Sequence, residues 1–268
     1  MGKAVTETAA RAAVLKGESI ELYGLKLRGI PMGRYEEWAA CKNVWLARQS
    51  TFPVFCVAYP FLEALWALDM DAIEKVGKPV GFLFRAMQGI GLALGFDGDC
   101  VRDSNISASI DEQTRKLNGI VVHEKGREDV VITPQMFDMF RKVVAWMQGD
   151  EVPDESLNDE LLETEKDLAS RNAPNLRYDL LDMEASVAAV YGMRIKDVME
   201  WTILEFEYAR KAIDRQKKHL IFGIGETNGC KWDSGNPCPS WCFDRDRTGT
   251  SALVSQADFI KPKINKKE

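Results

Sequence analysis

The most regular alternation of apolar and polar positions lies between residues 183 and 222. Val187, Val190 and Tyr191 recur at helical spacing and Gly192 follows, so a helix is expected to stop there, with a residue lacking Cβ taking φ > 0. Ile195, Val198 and Met199 then recur at i, i+3 and i+4, which predicts a short second helix whose apolar edge faces the first. Thr202 precedes Glu205 by three, the reciprocal hydroxyl and carboxylate pair that satisfies orphan N–H groups at a helix start. The third helix is expected to carry Ile203, Phe206 and Ala209 as its apolar stripe and to run to about Phe222. Its far end is basic through Arg210, Lys211, Arg215, Lys217 and Lys218, as suits the negative end of a helix dipole.

The same reading extends to the rest of the chain. Residues 1–17 are rich in alanine without a deep apolar face and are expected to be a mobile arm. Ile20, Leu22, Leu25 and Leu27 flank Tyr23-Gly24, which predicts a small β-hairpin with Gly24 at φ > 0. From Arg34 the period becomes helical, with Tyr35, Trp38, Trp45 and Leu46 forming a core-facing stripe that ends near Ser50. Residues 52–68 and 80–96 are densely apolar and are expected to be buried helices. Each is shorter than the roughly 20 apolar residues of a bilayer span, and a membrane hairpin would place Glu63 and Arg85 in lipid. Gly89, Gly91 and Gly95 do not lie between a strand and a helix start, so they serve close helix contact and a helix stop rather than a dinucleotide. Residues 97–111 read as an exposed polar loop. Residues 117–123 and 129–132 read as a second hairpin turning at Lys125-Gly126. Thr133-Pro134 then opens a helix that packs Phe137, Phe140, Val144 and Met147. Residues 150–167 are acidic and expected to be a mobile helical linker, broken at 172–175 by Asn-Ala-Pro-Asn.

The fold class expected is therefore mainly α, a helical protein with two small β-hairpins. Its segments are an arm at 1–17, a hairpin with apolar helices at 18–100, and a loop, hairpin and helix at 101–149. An acidic linker at 150–175, a helical unit at 176–222 and an irregular tail at 223–268 complete the chain. Composition agrees with an ordinary globular chain: 268 residues, 46% hydrophobic and 28% charged. The net charge of −6 disfavours nucleic acid or an anionic membrane as the main partner and favours protein. No secretory leader pattern is present, so the cytoplasm is the expected compartment and Cys41, Cys56, Cys100, Cys230, Cys238 and Cys242 are expected to be thiols.

Candidate chemistry changes this picture little. No phosphate-cradling loop, nucleophile elbow or zinc-protease helix occurs, and no catalytic residue is assigned. His123 reads as a half-exposed structural residue in a strand. Cys230, Cys238 and Cys242 are weak candidates for zinc or an iron–sulfur cluster, with His219 or Asp233 as a fourth ligand. They lack paired C-x-x-C spacing, and no cofactor is assigned. Two partner-binding sets stand out instead. Trp201, Leu204 and Tyr208 remain after core packing of the helical unit, and Trp232 and Trp241 stiffen the tail.

Residues 188–198 also carry the small residue, turn glycine and later apolar residue of a helix-turn-helix. Asp197 and Glu200, however, offset Arg194 and Lys196 where phosphates would have to be met. A different pattern fits better. Gly192, Ile195, Val198, then Trp201-Thr202-Ile203 and Glu205-Phe206, resembles the C-terminal helical signature of tail assembly chaperones of long-tailed bacteriophages. The order of segments, from a small β start through apolar helices and an acidic linker to this unit, is similar to that family across much of the chain. The residues themselves imply a non-enzymatic cytoplasmic protein with neither nucleic acid nor membrane as its partner, and self-association into a homo-oligomer stays open. The resemblance implies that the protein binds the tape measure protein in the host cytoplasm, keeps it soluble and recruits tail tube subunits. A structural virion component, such as a tail-tip or connector protein, is the alternative, and a helix-turn-helix DNA-binding protein a further one.

Overall fold

The computed structural model describes residues 5–156, 164, 179–232 and 236–242. The elements among them, in chain order, are α1 (Glu7–Leu15), β1 (Ile20–Leu22), β2 (Leu25–Leu27), α2 (Tyr35–Trp45), α3 (Phe61–Val76) and α4 (Phe82–Leu94). They continue with β3 (Ile106–Ile110), β4 (Leu117–Val122), β5 (Val130–Ile132), α5 (Pro134–Met147), α6 (Leu180–Tyr191), α7 (Ile195–Val198) and α8 (Ile203–Thr227). The described residues are thus predominantly helical, with one two-stranded and one three-stranded antiparallel sheet rather than two hairpins. The chain forms two compact units, Met1–Pro153 with Val187–Ala209, and Asp154–Ser186 with Arg210–Glu268.

In the first unit the arm expected to be mobile is a packed helix. The Thr6 hydroxyl accepts the Ala9 amide at the start of α1, and Ala10 and Val14 are buried where α1 meets α5. Alanine explains both features, since it forms helix well and lets a neighbour approach closely. The first hairpin follows its pattern. Tyr23 and Gly24 take φ of 54° and 82°, the two left-handed residues of a tight hairpin turn, and Ile20, Leu22, Leu25 and Leu27 face inward.

Aromatic side chains fill the core. Trp45 of α2 meets Trp38, Phe137 and Phe140 at ring separations of 5.7, 5.5 and 6.4 Å. Arg141 of α5 is buried beside them, stacked 3.6 Å from the Phe61 ring and donating to the carbonyl oxygens of Trp45 and Ala47. Those carbonyls lie at the end of α2, where the helix leaves acceptors without an internal partner. Pro53 and Pro60 divert the apolar run at 52–60 into short turns, so α3 starts at Phe61 and continues past the expected Leu68 to Gly77, at φ 74°. Asp69 is therefore inside a helix, and its buried carboxylate accepts the amides of Gly81, Phe82 and Leu83 at 2.8, 3.1 and 2.9 Å, capping α4 from across the bend.

The region at 97–111 corrects the expectation of a loop. Its second part is β3, which pairs with β4 through Ser107↔Val121 and carries Ile106 into the core while Ser107 and Ser109 alternate outward. Serines at alternate positions give the stretch a polar composition although its period is that of a strand. The second hairpin turns through Gly126 at φ 82°, and α5 opens with Pro134 as expected, although the Thr133 side chain makes no capping bond. Asp150, expected to begin a mobile linker, is held by Lys42 at 2.6 Å and by the Trp38 indole N–H at 3.2 Å. The acidic run from 157 onward, the break at 172–175 and the chain beyond Cys242 lie outside the described residues.

The corner after α6 forms as the pattern predicts. Gly192 has φ 65°, α7 is a single turn, and the Thr202–Glu205 reciprocal cap is made at 2.7 and 3.2 Å. Backbone bonds then hold it to the early chain: Met32 donates to Trp201, Gly33 to Met199 and Ile203 to Ile30. This non-local strip explains why residues 187–209 belong with the first unit rather than with the helical unit at 176–222. Helix α8 extends beyond Phe222 to Thr227 and closes at Gly229, φ 84°, with the Cys230 amide bonded to the Gly225 carbonyl. A Cβ at Gly192 would meet no atom, so Gly192→Val tests backbone conformation alone. It should destabilise by about 1 kcal/mol or more in chemical denaturation, and an unchanged midpoint would contradict the left-handed corner.

Candidate functional site

Of the side chains singled out for partner binding in the first unit, Leu204 is fully buried and belongs to the core. Its Cδ1 lies against Gly149, 3.0 Å from where a Cβ would stand. Trp201 is half-buried and meets Tyr191 edge-on at 5.6 Å, and Tyr208 is exposed. Ile195, expected to face the preceding helix, is also exposed, whereas Val198 is sealed. Val190, Tyr191, Met193 and Ile195 thus present large apolar groups to solvent around the Gly192 corner, with Trp201 beneath. Large contiguous apolar patches on soluble proteins are commonly interaction sites.

The corner is poorly suited to DNA. A recognition helix must offer several side chains to a groove, and α7 has only four residues. Arg194 is tied to Asp197 by two hydrogen bonds at 2.7 and 2.9 Å, which hold the Asp197 carboxyl below its usual range, so the cation is compensated locally.

In the second unit the tail folds back on α8. Arg215 donates to the Cys242 carbonyl at 3.1 Å, His219 Nδ1 lies 2.9 Å from the Cys238 carbonyl oxygen, and Trp232 meets Phe222 edge-on at 5.5 Å. Gly225 admits the Trp232 ring, since a Cβ there would stand 2.9 Å from it. Trp232 is therefore a clip on its own helix, while Trp241 remains exposed. The Cys238 thiol lies against the carbonyl oxygens of Arg215 and Ser240, and His219 is engaged by backbone. Among the described residues, no three His, Cys, Asp or Glu side chains converge on a metal position. Asp233 lies outside the described residues. Cys41, Cys56 and Cys100 are buried thiols, and burial pushes Cys41 up to about 12.

Two arrangements in the first unit were not foreseen. A groove of about 510 Å³ runs along α3, walled by Phe55, Tyr59, Trp66 and Met70 with Glu63 and Glu74, and closed by the turn at 114–117, where the Trp66 indole N–H bonds the Arg115 carbonyl. On the outer face of the three-stranded sheet, Ser107 Oγ lies 3.0 Å from His123 Nε2, and His123 Nδ1 lies 2.9 Å from Asp129 Oδ1. With Nδ1–H directed at the carboxylate, Nε2 accepts the serine hydroxyl, which is the order of a nucleophile, a base and its orienting group. The setting differs from that of a hydrolase. His123 and Asp129 side chains are 39% and 56% exposed, and none of the three lines the α3 groove. The trio links β3 to the segment before β5 across β4, as a clasp. Ser107 is accordingly expected to resist a fluorophosphonate probe, and stoichiometric labelling detected by mass spectrometry would contradict a purely structural role.

No helix among the described residues is long and apolar enough to cross a membrane. Comparison with known proteins returns no matching family model, no curated protein and no solved structure.

Proposed function

We propose that this protein acts by binding another protein rather than by catalysis. In this reading it is a phage tail assembly chaperone that holds the tape measure protein in the host cytoplasm and recruits tail tube subunits. The observation that carries the binding role is the exposed apolar corner of Val190, Tyr191, Met193 and Ile195 over Trp201, built on the rigid Gly192 turn and the Thr202 cap. Rigid aromatic and aliphatic groups lose little entropy on docking, and aromatic anchors of this kind each contribute about 2 kcal/mol or more in a partner pocket. The identity of the client rests on the resemblance of residues 192–206 to the chaperone signature.

Co-expression with the tape measure protein of the same phage tests this reading. The chain should keep that protein soluble and co-purify with it, and it should be absent from finished particles. A chain found in purified virions would instead identify a structural tail component, and a tape measure protein no more soluble with the chain than without it would refute the chaperone role. Helix-turn-helix DNA binding fits less well, because α7 is one turn long and Arg194 at its N-cap is paired with Asp197.

A further inference from the structure

Helix α8 in the second unit has a face that none of the described residues covers, and its chemistry restricts what can cover it. Arg215, His219, Phe222 and Gly225 form the side of α8 on which the tail is clipped. On the opposite side Ile213, Lys217, Leu220 and Ile224 follow spacings of four, three and four residues, with Ile221 adjoining. Leu220, Ile221 and Ile224 are 63%, 65% and 53% exposed. Alternating steps of three and four place side chains on one stripe that a second helix can meet knob into hole. A stripe of this kind exposes three branched aliphatic side chains to water with no packing partner among the described residues.

The cation in the middle decides the occupant. Lys217 sits in the seam itself, flanked by Ile213 and Leu220, where a single charged residue sets register and partner at a cost in stability. A second copy of this chain laid parallel would set Lys217 against Lys217. In neither orientation does a second copy bring a carboxylate into the seam, because its seam residues are the same four. Asp214, beside the stripe, is already paired with Lys218 at 2.6 Å. An apolar helix without charge would bury Lys217 uncompensated.

We propose that the face Ile213, Lys217, Leu220, Ile221 and Ile224 docks an amphipathic helix of another protein, one that carries apolar residues at alternating three and four spacing and a carboxylate in its seam opposite Lys217. The inference rests on the protein-binding reading above and names the class of segment bound. It concerns a different surface from the Gly192 corner.

The test uses the full chain and two fluorescent helical peptides of about three heptads, with leucine at the seam positions and either one glutamate or one lysine at the central seam position. Binding is followed by anisotropy. The glutamate peptide should bind at least about tenfold more tightly than the lysine peptide, and Lys217→Glu should reverse the order. Leu220→Asp, at an exposed position, should weaken both peptides with helix content unchanged by circular dichroism. Equal affinities for the two peptides, or a ranking unaffected by Lys217→Glu, would overturn the proposal. Wild-type dimers in sedimentation equilibrium that Leu220→Asp dissociates would assign the face to a second copy and overturn it equally. Retained capture of the tape measure protein alongside equal peptide affinities would remove this surface and leave the chaperone reading intact. Loss of that capture with the peptide ranking preserved would do the reverse.

Discussion

Replacing Asp69 by alanine is expected to lower the unfolding free energy by about 3 kcal/mol, far beyond the roughly 1 kcal/mol of an exposed helix cap. Three amides, those of Gly81, Phe82 and Leu83, donate to the one carboxylate, and Leu83 is buried, so water cannot reach its amide when the acceptor is removed. Hydrogen bonds to an ionised acceptor are about twice as strong as neutral ones, which raises the loss further. Asp69→Asn retains one acceptor oxygen but turns an N–H towards at least one of the amides, so it should fall between wild type and Asp69→Ala. Urea denaturation measures the order. A loss below about 0.5 kcal/mol for the alanine variant would show that the start of α4 is satisfied without Asp69.

Gly89→Ala is expected to destabilise by about 2 kcal/mol, because overpacking outweighs the roughly 1 kcal/mol that alanine gains over glycine in a helix. The added Cβ would stand 2.1 Å from Trp45 Nε1 and 2.4 Å from Cε2. The indole cannot retreat. It is 1% exposed and enclosed by Trp38, Phe137 and Phe140. Gly223, in the interior of α8 with no atom near its missing Cβ, supplies the control, and Gly223→Ala should stabilise by about 1 kcal/mol. Opposite signs for the two substitutions are the result to look for. Stabilisation by Gly89→Ala would mean that α2 and α4 do not approach as closely as described.

These two residues mark the limit of what could be read from sequence. Helix starts and stops were legible where the determinants are local: Gly192 with Thr202 and Glu205, Gly95 after its apolar run, Pro134 opening α5, Tyr23-Gly24 between alternating leucines. A close-contact role for Gly89 and Gly91 was also legible, though not that Trp45 and Cys100 are the neighbours. Asp69 was hidden because its partners lie 12–14 residues on, across a bend. β3 was hidden because a strand is defined by its partner, and Ser107 and Ser109 make it polar on the outer face.

The candidate site shows the same division. Periodicity alone assigned Leu204 to the surface with Trp201 and Tyr208. Two non-local contacts reassign it: residues 30–33 pair with residues 199–203, and the turn after α5 lies against Leu204 itself. The seam on α8 was present in the spacing of Ile213, Lys217, Leu220 and Ile224. It could not be recognised as uncovered by the described residues until the tail was seen to occupy the opposite face of the helix.

The measurement that bears most directly on the binding role is a titration of the purified tape measure protein, or its soluble segments, against wild type and the Trp201→Ala, Tyr208→Ala double variant. Two anchors at about 2 kcal/mol each correspond to a loss of affinity of about 700-fold, enough to abolish binding at working concentrations. Circular dichroism should remain nearly unchanged, since Tyr208 is exposed and Trp201 half-buried. Saturable binding by wild type, lost in the folded double variant, is the predicted result. Equal binding by both proteins, or no binding by wild type, would contradict it.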